Sequence, residues 1–349
     1  MMAAVWFALV AIVLAAYVVM DGFDFGAGAL HTRVARSDRE RRQVLAAIGP
    51  YWDGNEVWLL AAGGMLFLAF PKVLAAGLSG FYMAIFLVLW VLILRGISIE
   101  FRSHLHDRMW RAFWDATFAF ASTLAPVLLG VALGNVVRGV PLNADGWFAL
   151  PLFASFSPHG ELGILDWYSL VIGALAYVAI LHHGALFLAW KTDGVVRERA
   201  LRHARTLWWA TVVAWSAALA ATIAVAPHVF SGWGMRPLAP TASAVFLLGL
   251  AASLVARRRG RDRLAFVGSA AFLAGSLAAV LAALYPTMLR SSGDPRWSLT
   301  AVNAAANARS LRLGLLWWPA GFALAVVYVV VLLRLHRGKV QAAADGEGY

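Results

Sequence analysis

The sequence predicts an all-α integral membrane protein of about nine transmembrane helices, and three observations carry that reading. Hydrophobic residues make up 62% of the 349 and charged residues only 13%, with a mean hydropathy of +0.74, against about 25% charged in a soluble domain. Nine apolar stretches are long enough, or nearly so, to cross about 30 Å of hydrocarbon at about 1.5 Å per residue. Arginine and lysine gather in alternate connections, as they do in cytoplasmic loops. The composition also excludes function classes. Without cysteine there are no disulfides, iron–sulfur clusters, thiol catalysis or thioether-linked haem. The net charge of +11 is explained by membrane topology and does not argue for nucleic acid.

The first stretch, 3–30, has nothing basic before it and stays apolar past Ala15 and Ala16, so it reads as a retained span and not a cleaved signal. Arg33, Arg36, Arg39, Arg41 and Arg42 separate it from the second, 44–70. The third, 78–94, leads into Arg95, Arg102, Arg108 and Arg111, and the fourth is 113–137. After the connection 134–163 comes the fifth, 164–190, closed by Lys191, Arg197, Arg199, Arg202 and Arg205. The sixth is 207–227 and the seventh 238–256. Arg257, Arg258, Arg259, Arg261 and Arg263 follow, then the eighth, 264–285. The ninth, 311–333, runs into Arg334, Arg337 and Lys339.

These groups hold 22 of the 29 Lys and Arg residues. The other side has Lys72, Arg138, Arg236, Arg290, Arg296, Arg309 and Arg312. The amino terminus is therefore expected outside and the carboxyl terminus inside, which needs an odd number of spans. Asn303 and Asn307, spaced i, i+4 in an Ala-rich run, predict a short interfacial helix in 286–312. Residues 1–338 read as one polytopic transmembrane domain and 339–349 as a disordered cytoplasmic tail. Trp208, Trp209, Trp317 and Trp318 fit an aromatic belt. Gly63-Gly64 and Gly130-xxx-Gly134 fit close helix packing.

Ionisable groups in hydrocarbon cost about 2.5–3.5 kcal/mol each on insertion scales, so those present point to chemistry. Asp21 and Asp24 lie in an apolar run, Asp24 nine residues, or about 13 Å, from Arg33. Asp53 and Glu56 sit in the next span, Asp53 at most about 16 Å beyond Arg42. Each pair is spaced i, i+3, which turns both members toward nearly one helix face. Glu100 closes the third span and Asp115 opens the fourth. Six acids thus gather toward the cytoplasmic side, and carboxyls in poorly hydrated sites can trade protons near neutrality. A proton uptake path is the sharper reading. The alternative is that Glu100, Asp115 and Asp21 pair with Arg102, Arg111 and other interfacial cations.

His182 and His183 are the histidines inside a span. Adjacent helical residues point about 100° apart, and no second intramembrane histidine at that depth offers an axial partner. Interfacial hydrogen bonding is the reading preferred over haem ligation.

Tyr17-Val-Val-Met-Asp-Gly-Phe-Asp-Phe-Gly-Ala-Gly, Gly49-Pro-Tyr-Trp-Asp-Gly-Asn-Glu-Val-Trp-Leu, Arg95-Gly-Ile-Ser-Ile-Glu-Phe-Arg, Phe113-Trp-Asp and Gly130-Val-Ala-Leu-Gly-Asn135 closely resemble subunit II of the cytochrome bd-type quinol oxidases, including the cyanide-insensitive branch. The resemblance is strong over 1–145 and weak beyond. It implies two four-helix bundles plus one peripheral helix in the bacterial cytoplasmic membrane, and no haem ligated by this chain. The expected partner is a haem-bearing subunit I with haem b and haem d, or a third haem b, which oxidises quinol at the outer side and reduces oxygen to water. Small single-helix subunits, and a structural quinone or lipid, are left open. The resemblance carries a cytoplasmic proton path onto Asp24, Asp53 and Asp115 with Trp52 beside them, and Asp21 and Glu56 as neighbours. A proton-coupled secondary transporter is the competing reading, but it predicts acids in both halves, and here they are confined to the first four spans. A haem b membrane anchor is a third, and the histidine count opposes it.

Overall fold

The computed structural model describes residues 1–158, 160–231, 233 and 236–340. Among them are eleven α-helices: α1 Met2–Val34, α2 Asp38–Ile48, α3 Trp52–Ala69, α4 Pro71–Gly80, α5 Tyr82–Phe101, α6 Arg108–Arg138, α7 Trp167–Lys191, α8 Gly194–Val225, α9 Leu238–Arg258, α10 Asp262–Leu284 and α11 Ala308–Leu335. Eight of these, α1 and α5 to α11, are long and apolar enough to cross a membrane. The helix at the remaining expected span is α3, whose 18 residues begin with a polar turn holding Asp53, Asn55 and Glu56.

The helices form two groups of four. In the first, α1 packs on α3 and α6, and α5 on α6; in the second, α7 packs on α8 and α10, and α9 on α10. The groups meet where α1 lies against α7 and α10 and α6 against α7. Glycine sets that closeness: a Cβ on Gly26 would sit 2.7 Å from the Gly184 Cα, so α1 and α7 touch backbone to backbone. Gly130 approaches Gly173 in the same way, but Gly63 and Gly64 have no neighbour within 4 Å among the described residues of this chain. Peripheral α11 lies on α1 and α3, its first turn held by the Trp6 indole, which donates to the Leu311 carbonyl at 3.1 Å.

Three sequence boundaries need correction. The stretch 44–70 is two helices. Ser37 and Glu40 form a capping box that starts α2, and this polar helix stops before Pro50, which has no N–H to continue it. The third span is shifted toward the carboxyl terminus: α5 extends to Phe101, so Arg95, counted above among the connection cations, lies inside it. No α-helix forms in 286–306. The segment pairs Thr287–Leu289 with Leu299–Thr300 as antiparallel strands β1 and β2. Asn303 receives the Thr300 N–H and donates to the Ser298 carbonyl, and Asn307 caps α11 at Ser310 N. These short amides satisfy backbone groups that an interfacial helix would have used.

The α6 and α7 ends are joined by an ion pair between Arg138 and Asp166, with Arg138 also donating to Asn135 Oδ1 at 2.5 Å. At the arginine-rich end, Lys339 donates to the Thr192 carbonyl at 2.6 Å and Val340 N to the Lys191 carbonyl at 2.7 Å. The remainder of the expected tail, 341–349, lies outside the described residues.

Candidate functional site

Two buried charge clusters contain most of the acids singled out in the sequence. The deeper one is built on α1, α3 and α5. Asp21 and Arg95 are both 0% exposed, and Arg95 Nη1 donates to Asp21 Oδ1 at 2.5 Å. Arg95 Nη2 donates to Glu56 Oε1, also at 2.5 Å. The guanidinium lies 4.3 Å from the centre of the Phe25 ring, a cation–π contact strengthened by the burial of both groups. Asp24, one turn along α1, accepts a 2.7 Å hydrogen bond from Asn55 Nδ2, which also donates to the Met20 carbonyl. Asp21 Oδ2 and Asp24 Oδ1 are buried with no hydrogen-bond partner.

Helix periodicity explains the convergence. Asp21 and Asp24 occupy one face of α1, and Asn55 and Glu56 stand on the α3 flank that packs against α1. Two carboxyls, Asp21 and Glu56, then share one guanidinium, and a third, Asp24, stands beside them on the Asn55 amide. The arrangement can accept a proton without breaking an ion pair, because one carboxyl, Asp24, is held by a neutral amide.

The second cluster lies at the arginine-rich end. Asp115, 2% exposed, receives His31 Nε2 at 2.6 Å, Arg102 Nε at 2.6 Å and Arg41 Nη1 at 2.8 Å. Arg102 continues to Asp38 at 2.7 Å, which also meets Arg111 at 3.0 Å and Arg42 at 3.3 Å. Arg102 lies just past the end of α5. Its burial opposes the charged form, but the hydrogen bonds to Asp115 and Asp38 outweigh this and raise its pKa above the ordinary arginine value. Each Asp115 oxygen is engaged, so this carboxylate works as the hub of a rivet joining α1, α2, α5 and α6.

Asp53 stands apart from both clusters. It is exposed in the first turn of α3, heading a stripe that continues through Val57, Leu60 and Phe67, all more than half exposed. Trp52 is half-buried and packs over Gly96 of α5, where an added Cβ would come within 3.3 Å of the indole. Glu100 is exposed.

Sequence reasoning counted Arg95 and Arg41 only as connection cations and assigned no role to Asn55 or His31. The signal for Arg95 was available, since it follows an unbroken apolar run in 82–94 and a buried arginine demands an acid. His183 uses both ring nitrogens, on the Val19 carbonyl at 3.0 Å and the Ser269 hydroxyl at 2.7 Å. His182 reaches Ser253 at 3.4 Å. His183 therefore has no nitrogen to spare for iron.

The chain matches the family Cytochrome bd terminal oxidase subunit II over residues 2–336. It is 32% identical over 308 residues to cytochrome bd ubiquinol oxidase subunit 2 of Bacillus subtilis, covering 88% of each chain. It is 37% identical over 214 residues to cytochrome bd-I ubiquinol oxidase subunit 2 of Escherichia coli, an alignment covering 61% of this chain and only 55% of that relative. In fold it is similar to a chain of the bd oxidase from Geobacillus thermodenitrificans, with a TM-score of 0.76 at 19% identity, covering 96% of this chain and 98% of the other.

Proposed function

The chain belongs to the cytochrome bd terminal oxidase subunit II family, and from that premise we propose that it serves a quinol:oxygen oxidoreductase as the partner of a haem-bearing subunit I. On this reading the haems b and d, or a third haem b, and the quinol site belong to subunit I. The complex sits in the bacterial cytoplasmic membrane with the arginine-rich end of this chain in the cytoplasm.

Reducing oxygen to water consumes one proton per electron, and this chain supplies a route for them. Asp53 takes protons at the cytoplasmic end of α3, with Trp52 packed beside it. Asp24 carries them deeper, with Asp21 and Glu56 holding the guanidinium that fixes the local field. Asp115 belongs to the cytoplasmic mouth, where its arginine rivet keeps α1, α2, α5 and α6 in register. When protons come from inside and quinol is oxidised outside, the reaction charges the membrane without a pump. The observation that supports this most is Asp24, a buried carboxyl with one oxygen on a neutral amide and the other unpartnered. Such a group can change protonation without dismantling an ion pair.

The test is oxygen consumption per haem in assembled complexes carrying Asp24→Asn or Asp53→Asn. Turnover is expected to fall at least ~10-fold, a barrier increase of about 1.4 kcal/mol, with haem content retained. Unchanged turnover in both variants would end the proton-route reading. Reporter fusions after Arg42, Arg108, Arg202 and Arg261 check the orientation, all four being expected in the cytoplasm.

A further inference from the structure

At the end of the bundle opposite the arginine rivet, a cavity of about 110 Å³ is lined by Val136, His228, Ser231, Arg236, Ala283, Leu284, Thr287, Met288 and Arg290. Its size is several times the ~10–15 Å³ that one water needs. Three of its walls carry basic side chains, and no carboxylate is among the described lining residues. Among the described residues the buried arginines each have an acid: Arg95 has Asp21, Arg102 has Asp115, and Arg138 has Asp166.

The basic groups are held in place. Arg236 donates to the Ala283 carbonyl that ends α10, and His228 Nε2 donates to the Val137 carbonyl at 3.1 Å. Arg290 is fixed through its backbone: its carbonyl accepts the Val140 N–H at 2.9 Å, and Ser292 N returns a bond to the Val140 carbonyl. This pairing needs Gly139 at φ +104, in the left-handed region, directly against the Arg290 side chain. The half-buried Arg290 guanidinium has no acidic partner among the described residues. Burial and the charge of Arg290 together hold the His228 imidazole below its ordinary pKa, as an uncompensated positive site requires.

The cavity lies at the ends of α6 and α10, and if these helices span the bilayer as their length and apolarity allow, their ends fall at headgroup depth. Its floor of Val136, Ala283, Leu284 and Met288 is apolar, and Phe230 and Trp233 stand exposed beside it as interfacial aromatics do. We propose that this cavity binds a phosphate-ester anion through Arg236 and Arg290, supplied by the headgroup of an anionic phospholipid whose first methylenes rest on the apolar floor. Guanidinium forks suit phosphate oxygens, and the apolar floor favours an amphiphile over a free ion.

The test uses the intact complex in detergent, with native mass spectrometry counting retained phosphatidylglycerol as the probe lipid. Arg290→Gln is expected to weaken retention roughly ten-fold, in line with loss of a charge-assisted bond, and Arg290→Lys to keep most of it. Arg236→Gln gives a separate reading should Arg290→Gln fail to assemble, with copurifying haem reporting assembly. A second arm adds inorganic phosphate. Phosphatidylglycerol that resists millimolar phosphate supports the lipid source, whereas its displacement there, with loss of phosphate binding in Arg290→Gln, supports the same site filled by the free anion. Equal retention in the wild type, Arg290→Gln and Arg236→Gln would overturn the proposal, as would loss of a copurifying protein with lipid retention unchanged.

Discussion

At the arginine-rich end, Asp115 and Asp38 share His31, Arg41, Arg42, Arg102 and Arg111. Seven residues back along α1 from His31, about 10 Å, Asp24 rests on the Asn55 amide beside Asp21 and Glu56, which among the described residues share Arg95 alone. The same residue types therefore make two different devices. An acid surrounded by cations is fixed in its charged form and welds helices together. An acid in a cluster short of cations keeps an unpaired oxygen, and its protonation becomes the variable. What sets the two apart chemically is what stands opposite each acid.

The comparison is tested hardest at Arg95. Arg95→Leu leaves Asp21 buried without its counter-charge, a loss of about 3–5 kcal/mol, and the folded chain should vanish from detergent extracts. Adding Asp21→Asn should restore part of the yield, and no restoration would break the pairing argument. A smaller effect is expected from Asp115→Asn. The amide still accepts hydrogen bonds but loses the charge, so assembled complex and its melting temperature should drop while oxygen consumption per remaining haem changes little. Asp24→Asn should do the reverse, and identical behaviour of the two variants would erase the distinction between the clusters.

The smallest effect belongs to Glu40, on the rim of the arginine-rich end. Burial alone would raise its pKa, but the Arg36 and Ser37 N–H groups and the Arg199 guanidinium, at 2.6 Å, hold the carboxyl below its ordinary value. A depressed carboxylate stabilises the fold above its unfolded pKa and loses that contribution as pH falls through the folded one. Melting temperature should therefore decline on acidification below about pH 4.5. Glu40→Gln should flatten that decline by about 0.5 kcal/mol, the scale of a solvent-screened pair. An unchanged slope would remove Glu40 from the rim network.

Much of this was legible in the sequence. The apolar lengths marked eight helices long enough to cross a membrane, and the motifs around Asp21, Asp53 and Asp115 resembled the family to which the chain belongs, a membership that sets the transporter reading aside. Pairing was legible in part: Asp115 meets Arg102, as the ion-pair alternative expected. An i, i+3 spacing turns Asp53 and Glu56 toward similar directions, yet Glu56 meets Arg95 of α5 while Asp53 is exposed. Arg95 was read as a loop cation since charge counting weighs residues without knowing where a helix ends. The run 300–307 has helical periodicity, but its asparagines satisfy the backbone locally and win.

Lys191 has one more consequence, for biogenesis. Its ammonium, 2% exposed, reaches the Tyr51 hydroxyl at 3.3 Å and the His336 carbonyl at 2.5 Å, the latter just beyond α11. Ribosomes deliver α11 after α1 to α10, so until it inserts, this lysine at the end of α7 lacks its strongest acceptor. A nascent chain stalled before α11 would carry a poorly satisfied cation between α2, α3 and α7.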